Sequence, residues 1–159
     1  MAPGLNRPIA AEEWEFAGGK SLFDRARQEA RESRIDGRPD ILGSDIDARS
    51  IDLCKKHAKK AGVMVNWKVA PLKELSTDKS GGLIVCNPPY GERMMEKREA
   101  EALYREMRHK FDELDNWQVS VITAYRDFER IYGKRADKRR KLSNGGMVCT
   151  MYQYFKRND

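Results

Sequence analysis

The stretch that most constrains the fold is an apolar run that ends abruptly in two consecutive prolines. Leu83-Ile84-Val85-Cys86 follows two glycines and is typical of a short buried strand. Asn87-Pro88-Pro89 ends that strand, because proline cannot donate a ladder hydrogen bond and has a fixed φ. A polar side chain, a rigid turn and the ring of Tyr90 therefore stand at the carboxyl end of a strand, where open α/β sheets bind ligands. An ordinary strand-ending turn is the alternative, and the Tyr-Gly pair after the prolines argues against it.

Length and composition fit one domain with a mildly basic surface. A chain of 159 residues can bury a core, and its formal net charge of +6 permits a polyanionic partner. Cys54, Cys86 and Cys149 are odd in number and widely spaced, which predicts reduced thiols in a cytoplasmic protein, without disulfide or metal site. No apolar run approaches the ~18–20 residues of a membrane helix, and residues 1–10 lack a signal-peptide pattern.

Strand and helix patterns alternate along the chain and predict an α/β sheet that is parallel except at one edge. The last two strands flank an Asn-Gly turn, which predicts a C-terminal antiparallel hairpin. The predicted strands span residues 41–47, 63–69, 81–86, 117–122 and 147–155, with a basic run at 134–142 before the turn, and the predicted helices span residues 11–16, 22–33, 48–61, 72–75, 97–114 and 127–132.

Single residues complete this outline. Ser21 is predicted to cap the helix at 22–33, Asp47 to cap the helix at 48–61, and Gly62 to end it. The predicted core includes Trp14, Trp67 and Trp117, and the predicted surface includes His57 and His109.

Four motifs make the chain resemble a known family. They are Ala2-Pro3-Gly4-Leu5-Asn6-Arg7-Pro8 with Glu12-Glu13-Trp14, Gly43-Ser44-Asp45-Ile46-Asp47, Asn87-Pro88-Pro89-Tyr90-Gly91-Glu92-Arg93, and Arg139-Lys141-Leu142 with Asn144-Gly145. The chain is similar to the Rossmann-like methyltransferases that use S-adenosylmethionine and carry an Asn-Pro-Pro-Tyr motif. Within them it most resembles the THUMP-containing 23S rRNA guanine-N2 methyltransferases, a group often described as adenine-specific DNA methylases.

The resemblance implies roles for the residues of the turn. Asn87, Pro88, Pro89 and Tyr90 would form the catalytic site for methylation of an exocyclic amine. Such an amine is a poor nucleophile, because its lone pair is delocalised into the ring. The side-chain oxygen of Asn87 and the carbonyl of Pro88 could accept its two N–H groups, and Tyr90 could stack on an extruded base.

The resemblance also implies cofactor contacts. Asp45 would hydrogen-bond the ribose of S-adenosylmethionine, Ile46 would contact its adenine, and Asn87 would border the site. A helix cap is the alternative for Asp45, although Asp47 suits that role better. The predicted strand at 63–69 is followed by Ala70-Pro71, where many members place an acid that binds the adenine, so that contact is open.

The family's Gly-rich cofactor loop is missing, because no Gly-x-Gly occurs in the sequence. We therefore expect residues 1–159 to be the C-terminal portion of a methyltransferase catalytic domain, lacking the first strand of its sheet and the upstream THUMP domain. A sheet without that strand has exposed edges, which predicts self-association and little or no activity of the chain alone.

The basic run suggests a nucleic-acid contact. Arg93, Lys138, Arg139, Arg140 and Lys141 are the candidate nucleic-acid-binding residues, with a solvated hairpin edge as the alternative for the run. RNA is the expected partner, DNA is possible, and no membrane contact is expected. Two other functions stay open: an adenine-N6 DNA methyltransferase, and a non-catalytic RNA-binding or interaction fragment.

Overall fold

The computed structural model describes residues 4–33, 37, 40–91, 94–144 and 146–155. The chain divides into two compact units, Met1–Val69 and Ala70–Asp159. Within the described residues, no helix combines the length and apolar character needed to cross a membrane.

The first unit holds one helix, then a two-stranded parallel sheet with a second helix between its strands. Helix α1 spans Gly19–Glu32, strand β1 spans Leu42–Asp45, helix α2 spans Ala48–Ala61 and strand β2 spans Asn66–Val69. Two short 3-10 segments, Ala10–Glu13 and Glu15–Ala17, precede α1. The predicted α/β pattern is therefore confirmed here, and the bounds predicted for α2 match the structure.

The structure confirms the cap predicted for α2 but not the one predicted for α1. Asp47 caps α2 as predicted, because its carboxylate accepts the backbone N–H groups of Arg49 and Ser50, and Gly62 ends it at φ 65°. The prediction for Ser21 was wrong. Gly18, at φ 92°, precedes the first residue of α1, and Ser21 lies inside the helix with its hydroxyl 3.4 Å from the Gly18 carbonyl oxygen.

The second unit is a four-stranded mixed sheet with two helices. Strand β3 spans Gly82–Cys86, helix α3 spans Met94–Asp112, strand β4 spans Trp117–Thr123, helix α4 spans Phe128–Tyr132, and strands β5 and β6 span Lys138–Asn144 and Met147–Tyr154. The order is β3-β4-β6-β5, in which β3 and β4 are parallel and the other two pairs are antiparallel. The hairpin is confirmed, while the predicted helix at 72–75 is a 3-10 turn over Leu72–Glu74.

The core of the second unit is aromatic. Tyr104, which is fully buried on α3, meets the rings of Phe128 and Tyr125 edge to face, with centroids 5.0 and 5.4 Å apart. Phe128 in turn contacts Tyr132 and Tyr152. Edge-to-face pairs of this kind contribute ~0.5–1.5 kcal/mol beyond their buried area. This core holds α3 and α4 against one face of the sheet.

Two tryptophans share one packing arrangement. Gly43 pairs with Trp67 across β1 and β2, and Gly82 pairs with Trp117 across β3 and β4. A Cβ added at either glycine would lie within 3 Å of the indole ring, so the missing side chain makes room for the tryptophan. The indoles of Trp67 and Trp117 are only partly buried, and neither residue belongs to the buried core. Trp14, stacked on Phe16, is 50% exposed, so the core prediction was wrong for it. His57 and His109 are exposed, as predicted.

Candidate active site at the carboxyl end of β3

Strand β3 ends immediately before the Asn87-Pro88-Pro89 turn, as the two prolines predict. The last β3 residue paired with β4 is Cys86, opposite Val121, and the chain then passes through Asn87, Pro88 and Pro89. The side chain of Asn87 is exposed, while Pro88 is buried. The polar group of the motif therefore faces solvent from a turn that is anchored by its own buried proline.

Gly91 brings the turn close to the start of α3. Its φ of 66° lies in the left-handed region, and a Cβ there would lie 2.7 Å from the Cα of Lys97. Both the backbone conformation and the close approach therefore require glycine. Glu92 and Arg93, which complete the motif, lie outside the described residues.

The polar groups of the turn contact one another and β6. Tyr90 Oη donates to Asn87 Oδ1 over 2.7 Å, and the thiol of Cys149 donates to Tyr90 Oη over 3.7 Å. Cys149 lies on β6 and is 1% exposed. The Asn87 oxygen that was predicted to accept a substrate amine thus already accepts one hydrogen bond. An amide oxygen has two lone pairs, so it can accept a second.

A second group of hydrogen bonds joins the turn to α3 and β4. Tyr104 Oη donates to the carbonyl oxygen of Pro89 over 2.7 Å and lies 3.4 Å from Thr123 Oγ1. Thr123, at the end of β4, accepts the backbone N–H of Tyr125 over 3.1 Å. Because the one proton of the Tyr104 hydroxyl goes to Pro89, the Thr123 hydroxyl donates to Tyr104. Pro89, α3 and β4 are therefore joined by one directed run of hydrogen bonds.

The surroundings raise the pKa values of two tyrosines and one cysteine near this turn. The neighbourhood of Cys149 and, next, burial raise the pKa of Tyr90 above its ordinary value. Burial raises the pKa of Tyr104 and raises that of Cys86 to about 12. Among the described residues, no cluster of three or more His, Cys, Asp or Glu side chains could hold a metal ion.

Two of the three candidate cofactor residues, Asp45 and Ile46, belong to the first unit, whereas Asn87 belongs to the second. Asp45 ends β1, and its Oδ1 accepts the backbone N–H of Asp47 over 2.8 Å. Its side chain is exposed, and the following Ile46 is 74% exposed. The helix-cap alternative for Asp45 is removed, because Asp47 caps α2. An exposed carboxylate beside an exposed apolar side chain fits a ribose and an adenine, whereas no Gly-rich loop is present for the methionine end.

The candidate nucleic-acid residues of the hairpin are not equivalent. All four basic side chains, Lys138, Arg139, Arg140 and Lys141, are exposed on β5, which is an edge of the four-stranded sheet. Arg139 forms an ion pair with Glu129 of α4, with Nη2 2.5 Å from Oε2 and Nε 3.0 Å from Oε1. Because residues alternate along a strand, Lys138 and Arg140 point to the opposite face from Arg139.

Sequence reasoning missed Tyr104, Thr123 and Cys149. Tyr104 lies within the helix predicted at 97–114, and Cys149 lies within the strand predicted at 147–155. A tyrosine at a core position carries a signal that could have identified it, since a buried hydroxyl needs a hydrogen-bond partner. Its partner, Pro89, lies 15 positions away and could not be named from pattern alone.

The fold and the proline turn are those of a methyltransferase domain. Residues 1–153 match the UPF0020 family, described as RMKL-like, methyltransferase domain, and the chain belongs to it. This confirms the family resemblance and the α/β fold drawn from the motifs.

Three relatives illustrate the match. The chain is 41% identical to YpsC of Bacillus subtilis strain 168, a provisionally named RNA methyltransferase, over 99% of this chain and 41% of that protein. It is 31% identical to ribosomal RNA large subunit methyltransferase K/L of Legionella pneumophila strain Corby, over 96% of this chain and 22% of that protein. The crystal structure of SMU.472, a provisionally assigned methyltransferase complexed with SAH, superposes with a TM-score of 0.88 at 37% identity, over 99% of this chain and 42% of that one. The chain thus spans less than half the length of each.

Proposed function

We propose that the chain takes part in S-adenosylmethionine-dependent methyl transfer to the exocyclic amine of a nucleic-acid base, namely N2 of guanine in 23S rRNA. The observation that carries the proposal is the Asn87-Pro88-Pro89-Tyr90 turn at the carboxyl end of β3, with the Asn87 amide exposed beside a half-buried Tyr90. The names of YpsC and of methyltransferase K/L support RNA, and large-subunit rRNA in particular, as the substrate.

The turn offers the acceptors that such an amine needs. The oxygen of Asn87 would accept one N–H of the amine through its second lone pair, and the Pro88 carbonyl would accept the other. Both contacts favour a pyramidal nitrogen, whose lone pair is then available for attack. The ring of Tyr90 would stack on the extruded base, a contact of ~1–3 kcal/mol. When bound, the cofactor supplies an electrophilic methyl group on a sulfonium.

The chain offers candidate contacts for only part of S-adenosylmethionine. Asp45 would accept the ribose hydroxyls, and Ile46 would cover the adenine. The sequence offers no Gly-x-Gly loop for the methionine end. We therefore expect weak or absent binding of S-adenosylmethionine to these 159 residues alone, and no methyl transfer by them. Tight binding in calorimetry would contradict this expectation.

Phosphates beside the target base would contact the basic strand. Lys138, Arg140 and Lys141 are exposed on β5, and Arg93 completes the proposed set. Such contacts position a nucleic acid without reading its sequence. Arg139, already paired with Glu129, would contribute less.

The free edge of β3 supports self-association of the isolated chain. Within the described residues β3 pairs only with β4, and its side chains Leu83 and Val85 are 60% and 59% exposed. An unpaired edge with apolar side chains is a template for another strand. We expect sedimentation to show concentration-dependent dimers or larger species, and Val85→Lys to reduce them. A monomer at all concentrations would contradict this part of the proposal.

The test of the function is a radiolabel assay on the full-length protein. Naked 23S rRNA and duplex DNA are offered separately, and the product nucleoside is identified. We expect label in N2-methylguanosine, and a rate about 100-fold or more lower for Asn87→Ala, as for the loss of an oriented transition-state contact. Asn66→Ala, an exposed asparagine on β2, is the matched control. Label in N6-methyladenine of DNA would favour the alternative enzyme, and RNA binding without label would favour a non-catalytic module.

A further inference from the structure

The contacts among Asn87, Tyr90 and Cys149 have a direction that can be deduced. Tyr90 Oη lies 2.7 Å from Asn87 Oδ1, and Cys149 Sγ lies 3.7 Å from Tyr90 Oη. A phenol carries one proton, and an amide oxygen can only accept. The proton of Tyr90 therefore goes to Asn87, and a lone pair of its hydroxyl accepts the thiol proton of Cys149.

This direction matters because an asparagine amide has two orientations of nearly the same shape. A rotation of 180° exchanges the carbonyl oxygen with the NH2 group. Only the orientation with the oxygen in place offers an acceptor to a substrate amine. In the rotated orientation the NH2 group of Asn87 would face Tyr90, and the phenol proton would lose Asn87 Oδ1 as its acceptor.

We propose that the hydroxyl of Tyr90, held by the thiol of Cys149, is a positioning group that fixes the Asn87 amide with its oxygen as the acceptor. The inference rests on the proposed function, since the orientation of this amide matters only if an amine binds there. Cys149 suits the role because it is 1% exposed, which protects a weak thiol hydrogen bond from competition by water. It also lies 59 positions from Tyr90, so β6 helps to shape the turn after β3.

The ionisation of Tyr90 is consistent with this role. The ordinary pKa of a tyrosine phenol is about 10, and the surroundings of Tyr90 raise it further, so the proton stays on the phenol near neutral pH. The donation to Asn87 requires that proton.

The test separates the hydroxyl of Tyr90 from its ring. Full-length protein labelled with 15N at asparagine reports the Asn87 side-chain amide by NMR, and Asn87→Ala assigns the signal. We expect Tyr90→Phe, which keeps the ring, to shift or split this signal. The same variant should lower kcat by about three- to tenfold, the size of one net hydrogen bond, and change KM for RNA by less than about twofold. Tyr154→Phe is the matched control, because its hydroxyl donates to the Lys134 carbonyl over 3.2 Å, away from the turn.

Cys149 is tested in the same way. Cys149→Ala should give a smaller change of the same kind, and Cys149→Ser, which keeps a donor, should reverse part of it. Cys54→Ala, on α2, is the control for loss of a thiol. If Cys149→Ala does not fold, Tyr90→Phe decides alone.

An unchanged Asn87 signal in Tyr90→Phe overturns the inference, and so does a loss confined to KM. The NMR signal needs no activity, so it tests the inference even if wild-type protein fails to methylate RNA. That failure would count against the proposed function instead.

Discussion

Tyr104 donates a hydrogen bond from its buried phenol to the carbonyl oxygen of Pro89 over 2.7 Å, which ties the middle of α3 to the proline turn. The carbonyl of Pro89 has a partner within the protein because Tyr104 reaches it from the aromatic core. Loss of that hydroxyl leaves the carbonyl without this partner while the ring stays in place.

We therefore expect Tyr104→Phe to lower the free energy of unfolding by about 0.5–1.5 kcal/mol, the net value of one hydrogen bond. Urea denaturation measures the change. If Tyr104→Phe unfolds at the wild-type midpoint, the contact does not hold the turn.

Gly91 and Gly133 allow the close approach at the turn to be tested apart from backbone strain. Both have positive φ, 66° and 80°, so alanine at either costs ~1–2 kcal/mol. A Cβ at Gly91 would lie 2.7 Å from the Cα of Lys97, whereas nothing lies within 4 Å of one at Gly133. Gly91→Ala should therefore cost at least ~1 kcal/mol more than Gly133→Ala, as overpacking does. Equal unfolding midpoints for the two variants would contradict the close approach.

The three cysteines should differ in reactivity with a thiol reagent at pH 8. Thiolate is the nucleophile, and burial raises the pKa of Cys86 to about 12, so almost none of it is ionised. Cys149 is shielded by its 1% exposure, whereas Cys54 is partly exposed. We expect one fast and two slow thiols in native protein and three fast ones in urea. Mass spectrometry of the labelled peptides identifies them; fast native labelling of Cys86 or Cys149 would contradict the burial.

Arg139 and Arg140 are adjacent on β5 but should contribute differently to RNA binding. Arg139 is held by Glu129, whereas Arg140 points to the other face. If the strand binds phosphates, Arg140→Ala should reduce the slope of log K against log salt by about one, and Arg139→Ala by clearly less. Filter binding or fluorescence anisotropy at several salt concentrations gives the slopes. Equal reductions would mean that Arg139 leaves Glu129 on binding, and no reduction would leave the strand a solvated edge.

Most of the fold could be predicted because it depends on local patterns. The Asp47 cap and Gly62 bound α2 within a few residues of sequence, and the Asn-Gly turn fixed the hairpin. Pro88 and Pro89 end β3 because proline has no backbone N–H to donate and a fixed φ. The error at Ser21 is also local, because both Gly18 and Ser21 can begin a helix and the sequence does not rank them.

The contacts within the site could not be predicted, since they join distant segments. Asn87 and Tyr90 were identified by their motif, but their link to Cys149 depends on β6 lying beside β4. The contact of Tyr104 with Pro89 likewise depends on how α3 packs. Trp14 was misassigned because a large apolar side chain suggests burial, whereas the fold leaves half of it exposed.

The strand order β3-β4-β6-β5 has a consequence for biosynthesis. Strand β6 follows the other three in the sequence but lies between β4 and β5 in the sheet. A ribosome that has made β3, β4 and β5 has therefore made a strand pair and a detached strand, with one side of β4 waiting for its neighbour. The aromatic core, which uses Tyr152 and Tyr154 of β6, cannot close before then. Closure of this sheet therefore waits for the synthesis of β6, and until then the nascent chain presents an open strand edge that chaperones can protect from misassembly.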